Sequence, residues 1–153
     1  MTPRAGILKN KIDSKVKSNF ELNFGLYFEL NFGGHEMNFG QETEEVEFKE
    51  STNELKEGIR SLVSMLNKSQ HGTLYFGVKD NGDAIGQQIG KQTIRDISQA
   101  ISTNIESAVI PTISIVEGTP ENKQVIKIEV SGTDIPYSAY GQYLIRSADE
   151  DKK

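Results

Sequence analysis

Residues 42–86 lay out a strand, an amphipathic helix and a tight hairpin in that order, and this order leaves the chain few folds to adopt. Residues 44–49 alternate, with Val46 and Phe48 on one face of a short strand and Glu45, Glu47 and Lys49 on the other. Ser51-x-x-Glu54 is a capping-box signature for a helix start. Beyond it, Leu55, Ile59, Leu62, Val63 and Leu66 fall on one helical face, and Asn67 marks the expected end of the helix. Residues 72–78 are apolar enough for a central strand. Asp80-Asn81-Gly82-Asp83 then predicts a hairpin turn, because Asn-Gly supplies the positive φ values such turns need, and a short return strand runs through Ile85.

The remainder continues in the same manner. Ile94, Ile97, Ile101 and Ile105 define the buried face of a second helix over residues 93–106, with Pro111 beyond it. Residues 112–117 and 125–130 read as two strands of a hairpin, and 142–146 as a last strand after a turn at Pro136-Tyr137. The order predicts an α/β (α+β) domain: a mixed, mostly antiparallel sheet with two helices packed on a face. The domain is expected over residues 41–148, with 149–153 a frayed, charged tail.

Residues 1–40 differ from the rest. Glu21-Leu22-Asn23-Phe24-Gly25, Glu29-Leu30-Asn31-Phe32-Gly33 and Glu36-Met37-Asn38-Phe39-Gly40 are near copies of one unit, too few and too short for a solenoid. They read as an atypical arm. Gly33-Gly34-His35-Glu36-Met37 is also what a ribosome-binding site followed by a start codon would encode, which makes residues 1–36 a candidate translated leader.

Charge narrows the function. The net charge is −5, and residues 37–153 carry 18 acidic against 12 basic side chains. Such a domain does not attract a phosphate backbone by net charge, so any nucleic-acid site must be local, metal-bridged or completed by another module. With no cysteine there is no disulfide framework and no thiolate metal site, in keeping with a cytoplasmic setting. No apolar run reaches transmembrane length. His35 and His71 are far apart and make no zinc signature, and the glycines of 77–90 form neither a Walker loop nor a dinucleotide fingerprint.

Taken as an ordered set, Glu42-x4-Glu47-Phe48-Lys49, Asn67, Gly72-Thr73-Leu74-Tyr75-Phe76-Gly77-Val78-Lys79-Asp80-Asn81-Gly82, Ile85-Gly86, Pro111, Pro136-Tyr137 and Tyr143-Leu144-Ile145-Arg146 resemble the Schlafen AlbA-type domain. The resemblance covers about residues 41–148. It implies a nucleic-acid-binding, specifically DNA-binding, domain of a bacterial transcriptional-regulator-like protein. It also implies an ATPase-like or winged-helix module outside these residues and, since Schlafen lobes work in pairs on transfer RNA, a homodimer. Some members are metal-dependent endoribonucleases with two Glu and one Asp, and Glu42, Glu47 and Asp80 stand at the matching positions. One departure is visible: His71-Gly72 stands where the family usually has Gly-Gly, and the Cβ of His71 bars glycine-only conformations.

A Glu42, Glu47, Asp80 trio has the hard oxygen donors that Mg²⁺ or Mn²⁺ prefer, and such an ion would activate water and neutralise charge on a phosphate. Geometry opposes it, because an odd separation puts Glu42 and Glu47 on opposite faces of a straight strand unless the chain bends. The plainer account is a solvated acidic strand face with a turn aspartate. Candidate nucleic-acid contacts are Lys49, Lys79, Tyr143 and Arg146, since aromatic and cationic side chains together stack bases and bind backbone. Ordinary ion pairing, for Arg146 with Asp149 or Glu150, is the alternative. A protein–protein assembly domain remains the third reading.

Overall fold

The computed structural model describes residues 37–153, which form one unit beginning earlier than the boundary expected at residue 41. The expected leader and the first two copies of the five-residue unit lie outside the described residues. The third copy, from Met37 onward, is part of the fold. Phe39 donates its backbone N–H to Gly82 O (2.8 Å), Ala84 donates to Met37 O (2.8 Å), and the Asn38 amide donates to an Asp83 oxygen (2.8 Å).

The central sheet has four strands, β1 (Val46–Lys49), β2 (His71–Phe76), β4 (Thr112–Ile115) and β5 (Ile126–Ser131), in the order β1-β2-β5-β4. Only β1 and β2 are parallel, and helix α1 (Leu55–Ser69) is the crossover between them; the other pairs are antiparallel. Helix α2 spans Thr93–Asn104, and the last apolar residue expected in it, Ile105, instead opens the two-residue β3 (Ile105–Glu106). β3 pairs with β6 (Ser138–Ala139), and β6 pairs with β7 (Gln142–Tyr143). A final hairpin joins β8 (Ile145–Ser147) to β9 (Glu150–Lys152), so the segment expected to fray is paired.

Both ends of α1 follow from local chemistry, though not at the expected residues. Ser51 Oγ accepts from Asn53 N (3.2 Å), and Glu54 reaches back to Glu50 N (3.0 Å), over a 3₁₀ turn at Thr52–Glu54. The helix runs past Asn67 to Ser69 and stops where Gln70 turns left-handed (φ 63°) and donates to Leu66 O (2.9 Å). Asn67 serves elsewhere. Its amide donates to Tyr137 O and Leu144 O and accepts from Tyr137 N, at 2.7–2.9 Å. One asparagine thus ties the helix to both C-terminal segments.

One face of the sheet carries the main core, with Leu74, Phe76, Ile126, Ile128 and Val130 packed against Ile59, Leu62, Met65, Leu66, Ile97 and Ile101. Gly72 lets α1 sit this close, because a Cβ there would lie 2.7 Å from Met65 Cβ. A smaller cluster of Phe48, Val78, Ala84 and Val125 lies under Met37 and Phe39, with the Phe39 ring 4.9 Å from that of Tyr75. The turn after Val78 differs in type from the expectation. Gly82 N donates to Lys79 O and Lys79 N to Asp83 O, and of Asp80, Asn81 and Gly82 only Gly82 has positive φ (88°). This is a three-residue loop ending in a left-handed glycine, not a two-residue Asn-Gly turn.

Candidate functional site: a buried carboxylate network at the first strand

The register of β1 on β2 sets Glu47 beside Leu74 and Phe48 beside Tyr75, so Glu47 shares the helix-bearing side of the sheet. The alternation read from the sequence is correct, but its polar side turns inward. Glu47 is 5% exposed, and a buried carboxylate needs partners. It has two. Oε2 accepts from Arg146 Nη2 (2.5 Å), and Oε1 pairs with Lys49 Nζ.

Arg146, on β8, is 2% exposed. Besides Glu47 it donates to Asp151 Oδ1 on β9 (2.8 Å) and to Thr43 O (3.3 Å). Asp151 also accepts from Ser61 Oγ (2.8 Å) and from Ser64 Oγ, both on α1. One guanidinium therefore joins β1, the helix and the C-terminal hairpin. Burial works against its charge, yet the two carboxylates outweigh this and hold its pKa above the ordinary arginine value. Lys49 behaves alike: burial opposes its charge, and the bond to Glu47 raises its pKa overall.

Glu42 reaches this neighbourhood by a bend. β1 begins only at Val46, and a tight turn pairs Thr43 with Val46 just before it. Residues 42–47 are therefore not one straight strand, and the odd separation does not set Glu42 and Glu47 on opposite faces. Glu42 Oε1 accepts from Phe48 N (2.8 Å) on the outer edge of β1. Burial raises its pKa, the Phe48 bond lowers it, and Glu47 and Asp80 raise it further, for a net upward shift. Asp80 is exposed in its turn.

A family model described as Schlafen, AlbA_2 matches residues 42–153. The chain belongs to that family. Membership carries a nucleic-acid-related function at the level of the family. Among solved structures, the DIP2311 protein from Corynebacterium diphtheriae is similar in fold, with a TM-score of 0.53 and 20% identity over 71% of this chain and 22% of that one. The chain thus spans about a fifth of that protein's length. No curated protein matches.

Within this Schlafen AlbA_2 domain, Glu42, Glu47 and Asp80 share one electrostatic neighbourhood but not one ligand set. Both oxygens of Glu47 are taken by cations, one oxygen of Glu42 by a backbone N–H, and among the described residues no group of three or more His, Cys, Asp or Glu side chains could hold a metal ion. In this arrangement the trio does not fit Mg²⁺ or Mn²⁺. The expected nucleic-acid contacts also separate. Arg146 lies in the interior, because its hydrogen bonds are committed to Glu47, Asp151 and Thr43, and Lys49 is half-buried against Glu47. Lys79 and Tyr143 are exposed, Tyr143 by 63%. Tyr137 is buried, with its hydroxyl accepting from Asp134 N (3.0 Å), and Tyr140 packs beneath Lys56 and Arg60. His71 opens β2 and pairs with Glu45 (2.9 Å), with no positive φ required of it. Among the described residues no helix is long and apolar enough to cross a membrane.

Sequence reading missed Asp151, Ser61, Ser64 and the clamping role of Asn67. The serines carried a signal: they stand among Leu62, Val63, Met65 and Leu66, and a hydroxyl buried there must find an acceptor.

Proposed function

We propose that this domain binds nucleic acid without cleaving it, as the DNA-binding part of a bacterial regulator-like protein. The observation that carries this reading is the commitment of Glu47. With both its oxygens held by Arg146 and Lys49, Glu47 acts as an internal tie and leaves recognition to the surface. Tyr143 supports a stacking role. It lines an apolar groove of about 260 Å³ with Ile135, Pro136 and Ile145, and Lys153 stands at the same groove. An aromatic face beside a cation suits an unpaired base and its phosphate. Lys79, exposed on its turn, supplies a second phosphate contact.

Fluorescence anisotropy with labelled single-stranded and duplex DNA and RNA, in chelator and at graded salt, tests this. Binding that weakens with salt is expected. Tyr143→Ala should cost about 1–3 kcal/mol on an unpaired substrate, the usual worth of one stacked base. Lys79→Ala should lower the salt slope by about one. Absence of binding to all four probes overturns the proposal.

A further inference from the structure

We propose that the outer edge of β4, which no strand covers among the described residues, is a self-association surface, on which a second copy of this chain adds its own β4 antiparallel across a two-fold axis. The two edges of the central sheet are treated differently. The outer edge of β1 is closed by its own chain: Glu42 takes the Phe48 N–H, and the 43–46 turn folds over the strand's start. At the β4 edge, Val116 N donates to Val125 O, and the register runs Ile115 to Ile126 and Ser114 to Lys127. Antiparallel bonding alternates, so Thr112, Ser114 and Val116 turn their backbone groups toward β5, and Ile113 and Ile115 turn theirs outward. Among the described residues no strand covers them.

Natural edges are usually guarded by charge, proline or a bulge. Here residues 107–116 contain no charged side chain, and Pro111 precedes the strand instead of interrupting it. In a chain of net charge −5, whose copies repel one another, this is a stretch where two copies approach without opposing like charges. The edge is also self-complementary. Centring the axis on Ser114 sets Ile113 against Ile115 of the second copy, and Ile115 against its Ile113. Every outward N–H and C=O of both residues is then paired. It also covers Ile115, which is 41% exposed. The two central sheets become one. This pairing is independent of nucleic-acid binding.

The chain has no cysteine, so Ser114→Cys provides a single reporter. Ser114 would face its own copy at a non-hydrogen-bonded position, where Cα atoms stand about 4.5 Å apart, within disulfide reach. Under mild oxidation the full-length Ser114→Cys chain should convert to a reducible species of twice the chain mass, while Ser102→Cys, exposed on α2, stays single. Adding Ile115→Pro removes an outward N–H and leaves the β5 ladder intact, so it should abolish the cross-link with the circular dichroism spectrum unchanged. The wild-type chain should sediment as a dimer at high concentration. Cross-linking of Ser114→Cys no faster than of Ser102→Cys, or a wild-type monomer at every concentration, overturns the proposal. Should Ile115→Pro fail to fold, the comparison of the two cysteine variants decides alone.

Discussion

Glu47 is costly to bury alone and is held by two cations, and this determines what changes near it will do. Truncating Arg146 leaves a carboxylate inside the fold without its main partner, and frees Asp151 as well. Arg146→Ala should therefore cost about 3–5 kcal/mol of stability in urea denaturation at neutral pH. Arg146→Lys should recover only part, since an ammonium lacks the fork that spans both carboxylates. Glu42 gives the pH test. Its folded pKa lies above the ordinary 4.5, chiefly from burial, with Glu47 and Asp80 adding to the rise. The folded state therefore holds the proton longer than the unfolded chain, and stability is lost as pH rises from about 4.5 through the folded value. Glu42→Gln keeps an acceptor for Phe48 N and removes that loss. The variant should match the wild type below pH 4.5 and exceed it at neutral pH, as read from thermal midpoints across pH. The positions of these residues were legible in the sequence, but their direction was not. Alternation correctly put Glu47 and Lys49 on one side of β1, yet only the sheet's pairing decides which side the helices cover.

At the scale of elements, the β1-α1-β2 unit was readable because three local signals agree: alternation, a capping pair and one apolar helical stripe. The errors fell where tertiary contacts override local chemistry. Asn67 looked like a helix end and is an interior clamp on Tyr137 and Leu144. The 149–153 segment looked frayed because it is charged. Its Asp151 is the acceptor that docks the last hairpin onto Ser61 and Ser64, 90 and 87 residues away in sequence. The buried serines announce that they need an acceptor, but nothing local says that Asp151 supplies it. Helix and sheet also meet closely at Gly72, where an added methyl would abut Met65 Cβ, an atom that cannot move unless α1 does. Gly72→Ala should destabilise the domain by about 1–3 kcal/mol in the same denaturation assay, with the far-ultraviolet spectrum retained.

For the molecule as a whole, net charge and surface chemistry favour the reading proposed above. With 18 acidic against 12 basic side chains, the unit does not attract a phosphate backbone by net charge, so the proposed nucleic-acid contact is a local one. The apolar groove at Tyr143 fits the proposed contact, and Glu47, held inside by Arg146 and Lys49, does not. The family was readable from the order of its motifs. What the carboxylates do depended on a turn at 43–46 and on a hairpin partner at 151. In the proposed reading, Glu47 holds the fold together and does not open to a metal. Its most direct test follows the integrity of a structured RNA, bound to the wild-type chain, in Mn²⁺ and in chelator. RNA that is bound and intact in both is expected. Cleavage in Mn²⁺ that Glu47→Gln abolishes, with the variant still folded and still binding, would contradict it.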